Sequence, residues 1–164
     1  VKELCEIDCK LLDYYLGEYV EINETYDEYP ENEITYNYDM LLFRIEKFIK
    51  KKYSQKGLIN FLECIPEKKY DVVIDGNNLL LHKGKIDSIS IEILHKVVKH
   101  FVKRYKCLTF IHPRNVKKIK NLGMDIKIDY VETLYNYNDD WFSLYYAIKN
   151  NSFICSRDYF LDHI

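Results

Sequence analysis

Short apolar runs alternate with amphipathic, helix-like stretches along the chain from Ser54 onward. The runs have the length of β-strands, and an apolar run without polar alternation is typical of a strand buried on both faces. Strands that alternate with helices form parallel βαβ units with right-handed crossovers. We therefore expect an α/β fold with a central, mainly parallel sheet flanked by helices. The predicted strands are 70–74, 107–111, 124–131 and 152–155.

The predicted helices follow apolar positions three and four residues apart and end at helix-breaking residues. The clearest has an apolar stripe from Leu41 to Ile49, with Asp39 in the capping position. Directly after the first strand, Asp75-Gly76-Asn77-Asn78 is predicted to form a turn. The predicted helices are 39–53, 54–65 before Pro66, 88–105, 115–122 before Gly123, and a final helix that begins at Asn138 or Asp139.

The length and composition predict one soluble globular domain with a small appendage. The chain has 164 residues, of which 48% are hydrophobic and 30% are charged. No apolar run approaches the roughly 18 residues that a membrane span needs, so we expect no membrane association. No signal peptide follows Val1, which favours an excised or mature piece of a longer protein. Five cysteines without framework spacing favour a reducing, intracellular compartment.

Charge divides the chain at about residue 40. Residues 1–40 carry 12 Asp and Glu against 2 Lys, whereas residues 41–164 carry 14 Asp and Glu against 22 Lys and Arg. We therefore predict an acidic N-terminal segment over 1–40 and a basic catalytic domain over 41–164. A basic body suits a polyanionic substrate, although basic surfaces are often simply solvated.

Cys5 and Cys9 lack a second ligand pair, so buried cysteines are favoured over a zinc site.

Carboxylates stand beside the predicted strands at three places. Asp75 ends the first strand, Asp139 and Asp140 begin the last helix, and Asp158 follows the last strand. If these strands are parallel and adjacent, the acids meet at one edge of the sheet, where open α/β sheets place their sites. Three or four carboxylates without matching His or Cys favour a hard cation such as Mg²⁺ or Mn²⁺.

Each acid also has an ordinary interpretation. Asp75 is a turn residue, Asp139 is a helix cap, and Asp158 is a cap for the residues that follow it. Asp140 has nothing further to cap, and beside Asp139 it creates a double negative charge that needs a partner. The pattern therefore favours a metal centre, which lowers the pKa of bound water and offsets the charge of phosphoryl transfer.

Three motifs resemble those of a known nuclease family. They are Asp75-Gly76-Asn77-Asn78, Asn138-Asp139-Asp140-Trp141-Phe142-x-Leu144-Tyr145-x-Ala147 and Arg157-Asp158-x-x-x-Asp162-His163. In this order and spacing they resemble the nuclease domain of protein-only ribonuclease P, a metallonuclease of the NYN group within the PIN-like fold. The similarity runs from about Ser54 to Ile164. The resemblance implies a three-layer PIN-like fold, with an NYN metallonuclease domain over 41–164.

The resemblance also implies an activity and a set of site residues. The activity is endonucleolytic removal of the 5′ leader from precursor tRNA with two Mg²⁺ ions, for which Mn²⁺ is an alternative. Asn77 stands where the family usually has a small residue. By position, the catalytic and metal-binding acids would be Asp75, Asp139, Asp140 and Asp158, supported by Asn78, Asp162 and His163.

The chain departs from the family pattern at its two ends. Leu4-Cys5-Glu6-Ile7-Asp8 resembles the start of the family's zinc-binding module, so residues 1–40 are interpreted as a remnant of it. The ligands of the family's structural Zn²⁺ are not evident in this chain, nor are the repeats that grip tRNA. We therefore expect other segments or protein chains to supply tRNA recognition. The resemblance implies an organelle (mitochondrion or plastid) or the nucleus as the compartment.

Two other functions stay open. One is a PIN-like ribonuclease that acts on another RNA, and the other is a non-catalytic RNA-binding fragment of a larger processing complex. For RNA contacts we predict His112 and Arg114, which follow a strand, together with Lys83 and Lys85. Each of these can also be a surface residue without such a role.

Overall fold

The computed structural model describes residues 38–81 and 84–157. Within these ranges the chain forms four strands and five helices. The strands are β1 (Val72–Asp75), β2 (Cys107–Ile111), β3 (Tyr130–Glu132) and β4 (Phe153–Cys155). The helices are α1 (Tyr38–Glu63), α2 (Gly76–Leu80), α3 (Ser88–Phe101), α4 (Pro113–Asn121) and α5 (Asp140–Asn150). None of these helices combines the length and the apolarity that crossing a membrane requires.

All strand pairs of the sheet are parallel, and the spatial order is β3-β2-β1-β4. At the centre, Val73 of β1 lies opposite Leu108 of β2 on one side and Ile154 of β4 on the other. The chain adds strands in one direction from β1 to β3 and then returns to the far side of β1. The carboxyl ends of β1 and β4 therefore form the topological switch point, where open α/β sheets bind their ligands.

The two faces of the sheet pack against different helices. Val73, Leu108 and Phe110 join one apolar cluster with residues of α1 and α5. Ile74 and Ile111 are also buried, and the two-residue repeat of a strand turns them to the opposite face. On that side α2 contacts both α3 and β2. Helices thus cover both faces of a parallel sheet, and the predicted α/β fold is confirmed.

The chain passes from β1 into α2 at Gly76, where only glycine fits. An added Cβ would lie 2.7 Å from Thr109 Cγ2, 2.8 Å from Ile111 Cγ1 and 2.8 Å from the carbonyl oxygen of Phe110. The third contact is with backbone, which cannot rotate out of the way as a side chain can. The missing side chain therefore lets the start of α2 lie directly against β2.

A break in α1 supports the loop that leads into α5. Ser54 has φ 75° and ψ 174° within an otherwise helical segment, so the helix is kinked at the boundary predicted between 53 and 54. On either side of the kink, Tyr53 stacks on Tyr137 with ring centroids 4.0 Å apart, and the carbonyl oxygen of Gly57 accepts the Tyr137 hydroxyl at 3.0 Å. Tyr137 is thereby anchored just before the acids at the start of α5.

Three local predictions were wrong. The residues after Asp75 form the short helix α2 instead of a turn, because the Asp75 carboxylate caps a helical turn. The cap of α3 is Asp87, in a capping box with Ser90, whereas Ser88 or Ser90 was the predicted cap. The strand predicted over 124–131 forms only in β3, since only Tyr130–Glu132 pairs with β2.

Candidate metal centre

Three of the four predicted metal-binding acids come together at the carboxyl edge of the sheet. Asp75 ends β1, while Asp139 and Asp140 lie at the start of α5. One carboxylate oxygen from each acid lies within 4.8 Å of the other two. Oxygens that share one hard cation, each about 2.0–2.6 Å from it, are separated by up to about 5 Å. The three acids are therefore close enough to bind a common cation.

Asp75 is the most buried of the three acids, with 2% of its surface exposed. Its Oδ1 accepts the Asn78 backbone N–H at 3.1 Å, and its Oδ2 accepts the Ser156 hydroxyl at 2.9 Å. Burial raises the pKa of Asp75 to about 6, and the charges of Asp140 and Asp139 add to the rise, whereas the two hydrogen bonds oppose it. A bound cation would favour the ionised form, because it offsets both the burial and the like charges.

Asp139 and Asp140 are placed by the N-terminus of α5. The Asp139 side chain makes no capping bond to the helix and instead accepts a hydrogen bond from Asn77 Nδ2. The Asp140 backbone N–H donates to Asn138 Oδ1 at 3.1 Å. Burial raises the pKa of Asp139, and the charge of Asp140 contributes to the rise. The positive end of the helix dipole partly offsets this concentration of negative charge.

Asn77 connects the acids to the next strand of the sheet. It is 6% exposed, and its Oδ1 accepts both the His112 backbone N–H and Asn115 Nδ2, each at 2.8 Å. Its Nδ2 donates to Asp139. The resemblance marks Asn77 only as a position where the family usually has a small residue. Its local sequence does not distinguish it from the adjacent Asn78, because its role depends on contacts with residues 35 and 38 positions away.

His112 connects α4 to the loop before α5. It is 8% exposed, its Nδ1 accepts the Arg114 backbone N–H at 3.1 Å, and its Nε2 lies 2.9 Å from the Tyr135 carbonyl oxygen. Because Nδ1 accepts, the proton is on Nε2, which donates to Tyr135. Both ring nitrogens are therefore used within the protein. This geometry favours a supporting role for His112, and its RNA contact stays a prediction.

Asn78 holds the segment that follows β4. Its backbone N–H donates to Asp75, and its Oδ1 accepts the Arg157 backbone N–H at 3.1 Å. Together with the bond from Ser156 to Asp75, this fixes the two residues after β4 at the edge of the metal centre. These contacts favour the supporting role predicted for Asn78, which stays a prediction. The predicted site residues Asp158, Asp162, His163 and Lys83, and the predicted segment up to residue 37, lie outside the described residues.

Two of the basic side chains predicted to contact RNA are exposed. Arg114 is exposed in the first turn of α4, which starts at the carboxyl end of β2. Lys85 is also exposed, in the connection between α2 and α3. Among the ion pairs of the described residues, none joins Arg114 or Lys85 to one of the three acids. Both side chains are therefore accessible, and their contact with RNA stays a prediction.

A groove of about 880 Å³ lies at the opposite, amino edge of the sheet. Its lining includes Tyr70 before β1, Cys107 at the start of β2 and Asp129 before β3. None of the predicted site residues within 38–81 and 84–157 contributes to it. The three acids lie at the other, carboxyl edge of the sheet, so this groove is separate from them.

No family model and no curated protein matches the sequence. Two solved structures of nuclear protein-only RNase P 2 (PRORP2) from Arabidopsis thaliana match the fold. The first has a TM-score of 0.55 with 20% sequence identity over 74% of this chain, and the second has 0.56 with 21% identity over 77%. The resemblance to protein-only ribonuclease P is thus confirmed in the fold.

The matched region is a fraction of those larger proteins. This chain covers 28% of the length of the first PRORP2 structure and 29% of the second. The similarity therefore concerns one portion of PRORP2. The chain has the fold of that portion of a protein-only RNase P.

Proposed function

We propose that this chain is a metal-dependent endoribonuclease that removes the 5′ leader of precursor tRNA. The observation that carries the proposal is the cluster of Asp75, Asp139 and Asp140, whose carboxylate oxygens lie within 4.8 Å of one another at the switch point of the sheet. The similarity of the fold to PRORP2 supports the choice of reaction and of substrate.

The donor set fits a hard divalent cation. Asp75, Asp139 and Asp140 offer oxygen only, which suits Mg²⁺ or Mn²⁺ better than the softer zinc. In the proposal these acids hold two ions together with Asp158. When bound, the ions would polarise the phosphoryl group and lower the pKa of an attacking water.

The protein's own contribution is to hold charges in place before the substrate arrives. Asp75 is fixed through both carboxylate oxygens, by Ser156 and by the Asn78 N–H. Asp139 is fixed through Asn77, and the helix terminus of α5 carries Asp140. Preorganised groups of this kind need little rearrangement during the reaction, which is a major source of rate enhancement.

Recognition of tRNA is proposed to require more than this domain. Arg114 and Lys85 can contact phosphates near the cut, but such contacts carry no information on sequence or shape by themselves. The PRORP2 structures are more than three times longer than the region they share with this chain. We therefore infer that other segments or protein chains bind the body of the tRNA, and that this domain performs the cleavage.

Single-turnover cleavage of precursor tRNA labelled at its 5′ end tests the proposal. The assay compares Mg²⁺, Mn²⁺ and EDTA, and an unrelated structured RNA serves as the second substrate. Wild-type protein should make one cut, at the mature 5′ end, only with a divalent cation. Asp140→Asn should reduce the rate at least about 100-fold, because lost charge stabilisation of a few kcal/mol has this effect.

Asp125→Asn is the matched control for Asp140→Asn. Asp125 is exposed and precedes β3, so the same chemical change there should leave the rate unaltered. Equal cutting of both RNAs would point instead to a ribonuclease with another target. Metal-independent cutting, or equal loss in the two variants, would refute the metal centre.

A further inference from the structure

We propose that Asn77 is a positioning residue that sets the Asp139 carboxylate for cation binding. The inference rests on the metal-binding role proposed above for Asp139. It concerns a residue at which this sequence departs from the family motif, so the resemblance does not supply it. Its basis is the hydrogen-bond network that joins α2, α4 and the start of α5.

The first step is the burial and connectivity of the amide. Asn77 is 6% exposed, and its side chain makes three hydrogen bonds. Oδ1 accepts from the His112 backbone N–H and from Asn115 Nδ2, both at 2.8 Å, and Nδ2 donates to Asp139. A single side chain thus connects the carboxyl end of β2, the first turn of α4 and the acid pair of α5.

The second step is the orientation of the amide, which the network dictates. The His112 backbone N–H can only donate, so the atom of Asn77 that faces it must be the oxygen. The nitrogen then faces Asp139, and a carboxylate accepts from it. A reversed amide would oppose donor to donor at His112 and acceptor to acceptor at Asp139.

The third step is that other residue types cannot make the same set of bonds. Aspartate at position 77 could accept from His112 and Asn115 but would oppose Asp139 with a second carboxylate. Alanine would leave the His112 N–H and Asn115 Nδ2 without their described acceptor, at a cost of about 1–3 kcal/mol for each buried group left unsatisfied. Asparagine offers an acceptor and a donor on one short, planar group.

The fourth step concerns the acid. The side chain of Asp139 makes no capping bond to α5, although it occupies the capping position. Among the described residues its carboxylate accepts from its own backbone N–H and from Asn77, and Asn77 is the partner that joins it to another element of the fold. Partners that orient metal-binding carboxylates typically change metal affinity by about 10- to 100-fold when they are removed.

Calorimetric titration with Mn²⁺ tests the inference without any RNA. Asn77→Ala should raise the Mn²⁺ Kd by about 10- to 100-fold. Asn115→Ala is the matched control, because it removes one bond to Asn77 Oδ1 and leaves the bond to Asp139. It should lower stability to urea but change the Kd less than about threefold. Asn77→Ser should weaken Mn²⁺ binding as Asn77→Ala does, since the shorter side chain cannot reach all three partners.

A double-mutant cycle separates positioning from general destabilisation. If Asn77 acts through Asp139, then Asn77→Ala should not weaken Mn²⁺ binding further in an Asp139→Asn background. Additive losses, or an equal loss in Asn115→Ala, would overturn the inference. If the wild-type chain binds Mn²⁺ but cuts no RNA, the proposed function fails while the cycle still decides the role of Asn77. A wild-type chain that binds no Mn²⁺ overturns both.

Discussion

Ser156 donates a hydrogen bond of 2.9 Å to the buried carboxylate of Asp75, which lies 81 positions earlier in the chain. The bond links the residue that follows β4 to the last residue of β1, the two strands at the switch point of the sheet. Burial nevertheless holds the pKa of Asp75 at about 6. The protein therefore contains a carboxylate whose ionisation at neutral pH opposes folding when no cation is present.

We expect Asp75→Asn to stabilise the metal-free protein at neutral pH while it abolishes cleavage. The unfolded chain releases this proton near pH 3.8, the ordinary pKa of an aspartate, whereas the folded chain retains it up to about pH 6. Stability of the wild type should therefore fall as pH rises through this interval, by up to about 3 kcal/mol. The amide of the variant carries no charge, so the stability of the variant should not fall with pH in this way.

Urea unfolding in EDTA from pH 4 to pH 8 measures this difference. The stability curves of wild type and Asp75→Asn should diverge as pH rises and run parallel above about pH 7. Parallel curves across the whole range would contradict the effect of Asp75. Asp125→Asn, at an exposed position, is the control for the change of net charge.

We expect divalent cations to raise the melting temperature of the wild type. A ligand that binds only the folded state at 100 times its Kd adds about 2.7 kcal/mol to stability. The increment should vanish in a variant with both Asp139→Asn and Asp140→Asn, because that variant retains one acid of the cluster. Thermal melts with Mg²⁺ or Mn²⁺, against KCl of equal ionic strength, measure it. A similar rise in KCl would indicate general screening of charge instead of a site.

Arg114 and His112 should respond differently to replacement by alanine. Arg114→Ala should weaken RNA binding and reduce its dependence on salt, since Arg114 is exposed and lies outside the metal cluster. His112→Ala should instead lower stability by about 1–3 kcal/mol, because it leaves the Arg114 N–H and the Tyr135 carbonyl without the ring. RNA affinity measured at several salt concentrations, together with urea unfolding, separates the two. Loss of RNA affinity in His112→Ala without loss of stability would restore the RNA contact predicted for His112.

Gly76→Ala should disrupt both the fold and the metal centre. The new Cβ would lie 2.8 Å from the Phe110 carbonyl oxygen, and relief of such a clash requires the backbone to move. Overpacking of this kind typically costs about 1–3 kcal/mol. We expect a lower melting temperature, together with weaker Mn²⁺ binding, because the shift displaces the capping carboxylate of Asp75. Unchanged Mn²⁺ affinity would show that the start of α2 tolerates a side chain.

The order of elements could be predicted because hydrophobic periodicity follows burial. The central strand β1 is buried throughout, and its residues form an apolar run in the sequence. Its neighbour β2 was predicted with the observed bounds for the same reason. The edge strand β3 is shorter than predicted, since alternating residues such as Ile126 and Ile128 line the groove at the amino edge instead of pairing with β2. Alternation of apolar and polar residues does not by itself distinguish a paired strand from a segment that lines a groove.

The acids were easier to predict than the groups that hold them. Asp75, Asp139 and Asp140 stand out because of their pattern beside the predicted strands, although Asp75 and Asp139 each have an ordinary structural role. Asn77 was missed because its role depends on contacts with His112 and Asn115, 35 and 38 positions away. Long-range hydrogen bonds of this kind leave no periodic trace in a sequence. The burial of the His112 ring likewise could not be predicted from its position after a strand.

The pairing of β4 with β1 has a consequence for when the proposed activity can arise. β4 is the last of the described strands, and its partner β1 is the first. A growing chain can close this pair only after β2, β3 and α5 have been made, and such distant pairings form slowly. Asp75 therefore meets the hydroxyl of Ser156 late in folding. A nascent or partly folded copy would carry all three acids without the bond that holds Asp75, so we expect the proposed activity only once the domain is complete.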